Sequence, residues 1–187
     1  MGTIKTTNIE PIADNGTVTL GSSGDTFTVP SGVTITNNGT QTGFGGENTP
    51  AFLVRQSSAT SLANNTRTKV NLDAADIDTD SGLDTTNKRW VVPSGKAGKY
   101  QLFYQLRYET ANDFDNCNVM IYKNGSGITS TWGSNRYYNT FGNAFIADLS
   151  VGDYLELFGL QGSGGSINAS TSDYGLQTYL GGYRIIE

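Results

Sequence analysis

The chain has 187 residues, room for one sandwich-sized domain and a short appendage but not for two full domains. Only 16% of residues are charged, and the net charge is −5 with the 12 basic residues scattered, so the clustered Lys and Arg of a nucleic-acid binder are missing. Histidine is absent and cysteine occurs once, which excludes Ser-His-Asp and Cys-His nucleophiles and any intrachain disulfide.

Aromatic residues reach 11% and Gly fills 24 positions. Tyr, Val, Thr and Phe dominate the patterned stretches, and Asn, Gly, Ser and Asp separate them, as strands and turns require. The N-terminal Met-Gly-Thr-Ile-Lys-Thr lacks the apolar core of a signal peptide, and no apolar run is long enough to span a bilayer. The expectation is a protein made in a reducing cytoplasm, without membrane insertion.

Residues 1–46 form the first segment. Three short pieces, 18–20, 26–29 and 33–36, alternate with period two, placing Val18 with Leu20, Phe27 with Val29, and Val33 with Ile35 on one face each. Three such strands hold too little apolar surface to fold alone. Three copies packed around one axis would supply the missing partners, and a disordered polar leader is the alternative. Residues 40–46, rich in Gly, read as a linker, and Gly43 to Gly46 opens no helix that could cradle a phosphate.

Residues 47–187 form the second segment. Strand-like stretches fall at 51–56, 67–72, 88–93, 99–109, 117–123, 128–133, 136–149, 153–160 and 176–186, the spacing of a β-sandwich. Tyr100, Leu102, Tyr104, Leu106 and Tyr108 share one face of the longest; Gln101, Phe103, Gln105 and Arg107 share the other. Phe103 has two possible neighbours, the facing sheet or another subunit. Asn124-Gly125 marks a tight hairpin. The fold class is all-β: a jelly-roll head preceded by a short β-rich trimeric stem.

Catalytic groups are scarce. Cys117 sits inside a strand and reads as a small buried hydrophobe. Glu109 and Glu156 are carboxylates that nothing in the sequence marks as a glycosidase pair. No enzyme activity and no cofactor are expected. Asp76, Asp78 and Asp80 imitate the first half of an EF-hand loop, but Gly82 comes one place late and Asn87 stands where a bidentate Glu belongs. Residues 73–84 therefore read as a solvated loop, with those three Asp as the one calcium candidate and no metal expected. Exposed aromatics are the better recognition devices. Trp132, Arg136, Tyr137 and Tyr138 cluster in residues 131–139 and are the candidate ligand or receptor contact, unless their rings turn into the core or a subunit interface. Residues 162–168 form a second, Gly-rich candidate tip.

Four blocks carry a family resemblance. Trp90-Val91-Val92-Pro93 with Gly98-Lys99-Tyr100, the run Val119 to Gly125, the corner Leu149-Ser150-Val151-Gly152-Asp153-Tyr154-Leu155, and the closing run Tyr179 to Ile186 occur in this order across about 130 residues. Together they resemble the globular-head family of complement component one, subcomponent q, which shares its trimeric jelly roll with tumour necrosis factor. Leu102, Tyr179 and Tyr183 stand where that family usually has Phe. The stretch from Gly24 to Thr34 resembles segments of fibre and tail-associated proteins of marine tailed bacteriophages.

The resemblances imply a homotrimeric virion protein, assembled in the host cytoplasm. Its stem would join other virion proteins, and its head would meet a host-surface glycan or protein. Tail and capsid positions are both open. Tyr104, Tyr108, Tyr179 and Tyr183 are the expected trimer contacts, and Val18, Leu20, Phe27, Val29, Val33 and Ile35 the expected stem packing. The rival is a bacterial surface or secreted carbohydrate-binding module built on the same head.

Overall fold

The structure, a computed structural model, describes residues 9, 11, 16–36, 38, 48–109, 114–135, 140–171 and 176–185. The chain divides into two units, Met1–Phe44 and Gly45–Glu187.

In the first unit the two expected turns form. Asp25 N–H donates to Ser22 O (3.0 Å), and Val33 N–H donates to Pro30 O (3.2 Å). The expected strands do not form. Val18, Leu20, Phe27, Val33 and Ile35 are exposed and Val29 is half-buried. Three- or four-residue β pieces gain a ladder only from a neighbour, and among the described residues a single chain provides none.

The second unit holds thirteen strands and no helix among its described residues. They are β1 (Ala51–Arg55), β2 (Thr60–Leu62), β3 (Thr68–Lys69), β4 (Ala74–Asp78), β5 (Leu83–Asp84), β6 (Arg89–Val91) and β7 (Gly98–Glu109). Then follow β8 (Phe114–Lys123), β9 (Ser126–Asn135), β10 (Thr140–Leu149), β11 (Tyr154–Leu160), β12 (Ile167–Ala169) and β13 (Tyr179–Arg184). Sheet I runs β2-β12-β7-β13-β1-β4, with β10 on the other edge of β7. Sheet II runs β5-β6-β11-β8-β9, with β3 also on β11. Every strand ladder is antiparallel.

The strict alternation of β7 decides which side of sheet I is inside. Tyr100, Leu102, Tyr104, Leu106 and Tyr108 are all buried, and the intervening residues are half-buried on the outer face. Sheet II answers with Cys117, Val119, Ile121, Leu155 and Leu157, also buried. Trp90 stacks on Phe52, centroids 3.8 Å apart and planes 11° from parallel, and meets Tyr100 edge-on at 5.9 Å. Rings of this size each remove roughly 150–250 Å² from water, so this trio anchors one end of the core.

Three tyrosine hydroxyls in the core find partners. Tyr100 donates to Lys96 O (2.5 Å), Tyr104 meets Thr131 Oγ1 (3.0 Å), and Tyr108 is shared between Asn118 O (2.8 Å) and Leu160 O (2.9 Å). The last two cross from sheet I to sheet II. Burial drives the Tyr108 phenol far above its usual pKa and pushes Tyr100 up to about 12, so both remain neutral donors.

Four segments differ from expectation. Of 67–72 only Thr68–Lys69 is strand, because the chain leaves β11 and crosses between the sheets, with Val70 and Leu72 buried on the way. Residues 73–84 contain β4 and β5 rather than one solvated loop: β4 lies on β1, and Asp73 N–H already bonds Arg55 O. Residues 167 and 168 of the expected tip belong to strand β12, wedged between β2 and β7. β2 itself hides in a polar stretch that lacks alternation.

The Asn124-Gly125 hairpin forms with φ of 51° and 77°, the paired left-handed conformations of a type I′ turn. The Asn124 side chain ties it to the Gly152-Asp153 corner. It donates to Asp153 Oδ1 (2.7 Å) and accepts from Tyr154 N–H (3.0 Å).

Replacing Tyr108 by Phe leaves two buried carbonyls short of a donor. The expected loss is about 1–3 kcal/mol with an unchanged m-value, read by urea denaturation.

Candidate functional site

The outer face of sheet I is built by register. Ile77, Leu53, Gly181, Phe103 and Ala144 line up across β4, β1, β13, β7 and β10. Ala51, Tyr183, Gln101 and Ile146 form the row on one side, and Arg55, Tyr179, Gln105 and Gly142 the row on the other. Ile146 is 60% exposed, Ile77 48% and Tyr183 39%, and Phe103 and Tyr179 are half-buried. None of these positions is acidic. The Phe103 ring lies over Gly181, where any Cβ would overlap it, and meets Tyr179 edge-on at 6.2 Å. Glycine at 181 is what lets an aromatic surface spread over this strand.

Tyr179 and Tyr183 therefore sit on an open face. Tyr104 and Tyr108 do not: they point into the core, 2% and 0% exposed, and cannot reach another subunit. Adjacent residues of one strand face opposite ways, and β7 sends its tyrosines inward and Phe103 outward. The neighbour of Phe103 is thus neither facing sheet nor core.

The outer face of sheet II carries Trp132. It is 60% exposed and lies within β9 rather than in a loop. Asn118 is directly opposite it on β8, and Met120 is opposite Ser130. Arg67, adjoining β3, borders the same depression. Arg136, Tyr137 and Tyr138, the other candidate contacts, lie outside the described residues. Arg67, Asn118 and Met120 escaped the sequence reading because they come from distant strands. The signal was the pairing of 117–123 with 128–133, whose register places Asn118 beside Trp132.

The calcium candidates diverge. Asp76 pairs with Arg55 (2.8 Å) and Asp80 with Lys96 (2.8 Å). Asp78 accepts from Gly82 N–H and Leu83 N–H, both at 2.9 Å, and from the Trp90 indole (3.3 Å). Among the described residues no three acids gather as metal ligands. Glu109 and Glu156 lie on strands of different sheets, and Glu156 is taken by Lys69.

No protein-family model and no curated protein sequence matches the chain. Solved structures do match. Murine APRIL at pH 5.0 superposes with a TM-score of 0.55 at 17% identity, over 72% of this chain and 98% of that one. The Eiger TNF of S. frugiperda gives 0.52 at 12% identity, over 72% and 91%. The globular domain of zebrafish complement 1qA protein gives 0.51 at 12% identity, over 73% and 97%. The head has the tumour necrosis factor-like and C1q-like jelly-roll fold. At these identities the likeness speaks for the fold alone.

Acids pin the turns of this head. Hydrogen bonds from the Asn87 side chain and backbone, then Arg89, hold Asp84 down to about 2. At Asp153 burial pulls upward, but bonds from Lys123, Asn124 and Ser150 outweigh it and leave the carboxyl below its usual range. Asp73 and Asp80 are lowered as well. A depressed folded pKa adds stability that is complete above the unfolded value near 4 and is lost as pH falls through the folded one. The thermal midpoint should hold from about pH 7 to about 5, then drop between about 4 and 2, with the Asp84 contribution last to go. Asp153→Asn should lower the midpoint near neutrality and flatten this acid slope; a midpoint indifferent to pH across that window would contradict the assignment.

Proposed function

We propose that the chain is a homotrimeric adhesion component of a virion, whose heads join through the outer face of sheet I and present the outer face of sheet II. The observation that carries this is the acid-free row of Ile77, Leu53, Phe103 and Ala144 with Tyr179, Tyr183 and Ile146 beside it. A contiguous apolar face of this kind, left open in one chain, is what self-association covers. A sandwich has two outer faces pointing in opposite directions. If sheet I turns toward a threefold axis, sheet II turns outward, with Trp132 on the surface. The resemblance of the head family to trimeric jelly rolls supports the same stoichiometry.

The virion setting rests on the resemblance of residues 24–34 to phage fibre segments. It also fits β pieces whose Val18, Leu20, Phe27, Val33 and Ile35 are exposed in one chain and await partners. In this reading residues 1–46 anchor to other virion proteins. Exposed Trp132 is equally suited to the rival, a bacterial surface or secreted carbohydrate-binding module, which differs in needing no virion partner for the stem.

Light scattering of the full chain at low micromolar concentration should return three chain masses. Tyr183→Asp and Ile146→Asp change exposed side chains, so the folded head should survive both with an unchanged circular dichroism spectrum. Each substitution places three carboxylates against an apolar axis at a cost of order several kcal/mol per ion, and the double variant, with six, should run as a monomer. A monomeric wild type, or a trimer indifferent to both substitutions, would overturn the assembly.

A further inference from the structure

We infer that the depression on the outer face of sheet II is a glycan site selective for an acidic sugar, a uronate or its like. The inference rests on the adhesive half of the proposed function and not on the trimer. The depression has a volume of about 350 Å³, within the range of small-ligand sites. Trp132, Arg67, Asn118 and Met120 shape it, with Ser130 and Tyr122 at its margin.

Three features from separate segments of the chain point to one ligand chemistry. The first is the Trp132 indole, 60% exposed on a ten-residue strand that holds its backbone in place. An exposed indole offers a negative π-face to the weakly positive C–H bonds on the flat side of a pyranose ring. The second is Asn118. It is 3% exposed, and its Oδ1 is buried without a hydrogen-bond partner among the described residues. A buried carbonyl left unsatisfied is costly, so the Asn118 amide gains a partner by turning outward to meet a sugar hydroxyl. The third is Arg67. Among the described residues Arg55, Lys69, Lys88, Arg89, Lys96 and Lys123 are paired with acids, and Arg67 is not. Glu156 and Asp84, acids on this face, are already bound by Lys69 and Arg89. An unpaired guanidinium takes a carboxylate through two parallel hydrogen bonds.

The spacing suits a short glycan. Strands in a sheet lie about 4.8 Å apart, so the three intervals from β3, which Arg67 immediately precedes, to the β9 of Trp132 span roughly 14 Å, room for a disaccharide. Alternatives leave parts unused. A phosphate has no hydroxyl donor for Asn118 when fully ionised and no apolar face for Trp132. A neutral sugar leaves Arg67 idle. A long polyanion is repelled by a chain of net charge −5.

The test uses the full-length protein, with digalacturonate as probe and digalactose as its neutral counterpart. Tryptophan fluorescence is a clean readout, because the chain has two tryptophans and Trp90 is 0% exposed. Digalacturonate should give a saturable change and bind about tenfold or more tighter than digalactose. Trp132→Phe should keep the folded head and weaken binding, measured by calorimetry; Arg67→Gln should erase the preference for the acid while digalactose binding stays. Asn118→Ala should weaken both sugars without lowering the thermal midpoint, a combination that a purely structural Asn would not give.

No saturable response up to millimolar sugar, equal affinity for the two disaccharides, or equal affinity for hexaglutamate would each overturn the inference. The oligomer mass is taken on the same samples. A trimer that ignores both sugars defeats the glycan site alone, whereas a monomer that binds digalacturonate defeats the assembly alone.

Discussion

Everything in the head follows from one strand having two unlike faces. β7 crosses the middle of sheet I for twelve residues, and period-two geometry sends Tyr100, Leu102, Tyr104, Leu106 and Tyr108 to one side without exception. Five large side chains in a row commit that side to the interior, and sheet II must cover it. The tyrosines add direction to what burial alone would leave loose. An apolar ring can slide in a core, but a buried hydroxyl must end on an acceptor. Tyr104 ends on Thr131 of β9, and Tyr108 ends on carbonyls of β8 and β11. The two sheets are thereby held in one relative position. A slip of one residue would put Gln and Arg inside and leave these carbonyls without their donor.

A second set of polar contacts closes the rim. Asn124 of the hairpin and Asp153 of the corner hold each other directly, and Lys123 completes the cluster with an ion pair to Asp153 at 2.7 Å. Val92 bonds the backbone of the same corner, at Asp153 O (2.8 Å). Three loops of different origin thus share one carboxylate-centred knot. The consequence is that β8 and β9 are tied down at their hairpin end.

The two outer faces differ in chemistry, and that difference organises the functional reading. On sheet I the apolar surface spreads over several strands, with acids only at its borders, Asp148 opposite Lys99 and Asp76 paired with Arg55, the character of a surface to be covered by a large partner. On sheet II the aromatic surface is local, and it is mixed with an amide oxygen and a guanidinium that have no partner among the described residues. Such a mixture is poor for self-association, because burying an unpaired charge is costly, and good for a small polar ligand that supplies the counter-charge.

The sequence by itself determined the elements that local chemistry controls. Alternation over residues 100–108 established β7 and its buried side, Asn124-Gly125 established a hairpin because both residues tolerate positive φ, and Gly152-Asp153 established a corner. The all-β class and the jelly-roll head were legible from those elements and from the order of four short motifs. Only the tertiary structure decided what depends on partners distant in the chain. β2, β4, β5 and β12 are too short or too polar to announce themselves, and they are strands because a neighbouring edge needs them. Tyr104 and Tyr183 look alike in sequence, yet one is core and the other surface, because each inherits its side from the register of its strand. Arg67, Asn118 and Trp132 meet only through the pairing of β3, β11, β8 and β9. The pieces of the stem mark the same boundary from the other side: their turns are local and form in one chain, whereas strands are made by partners.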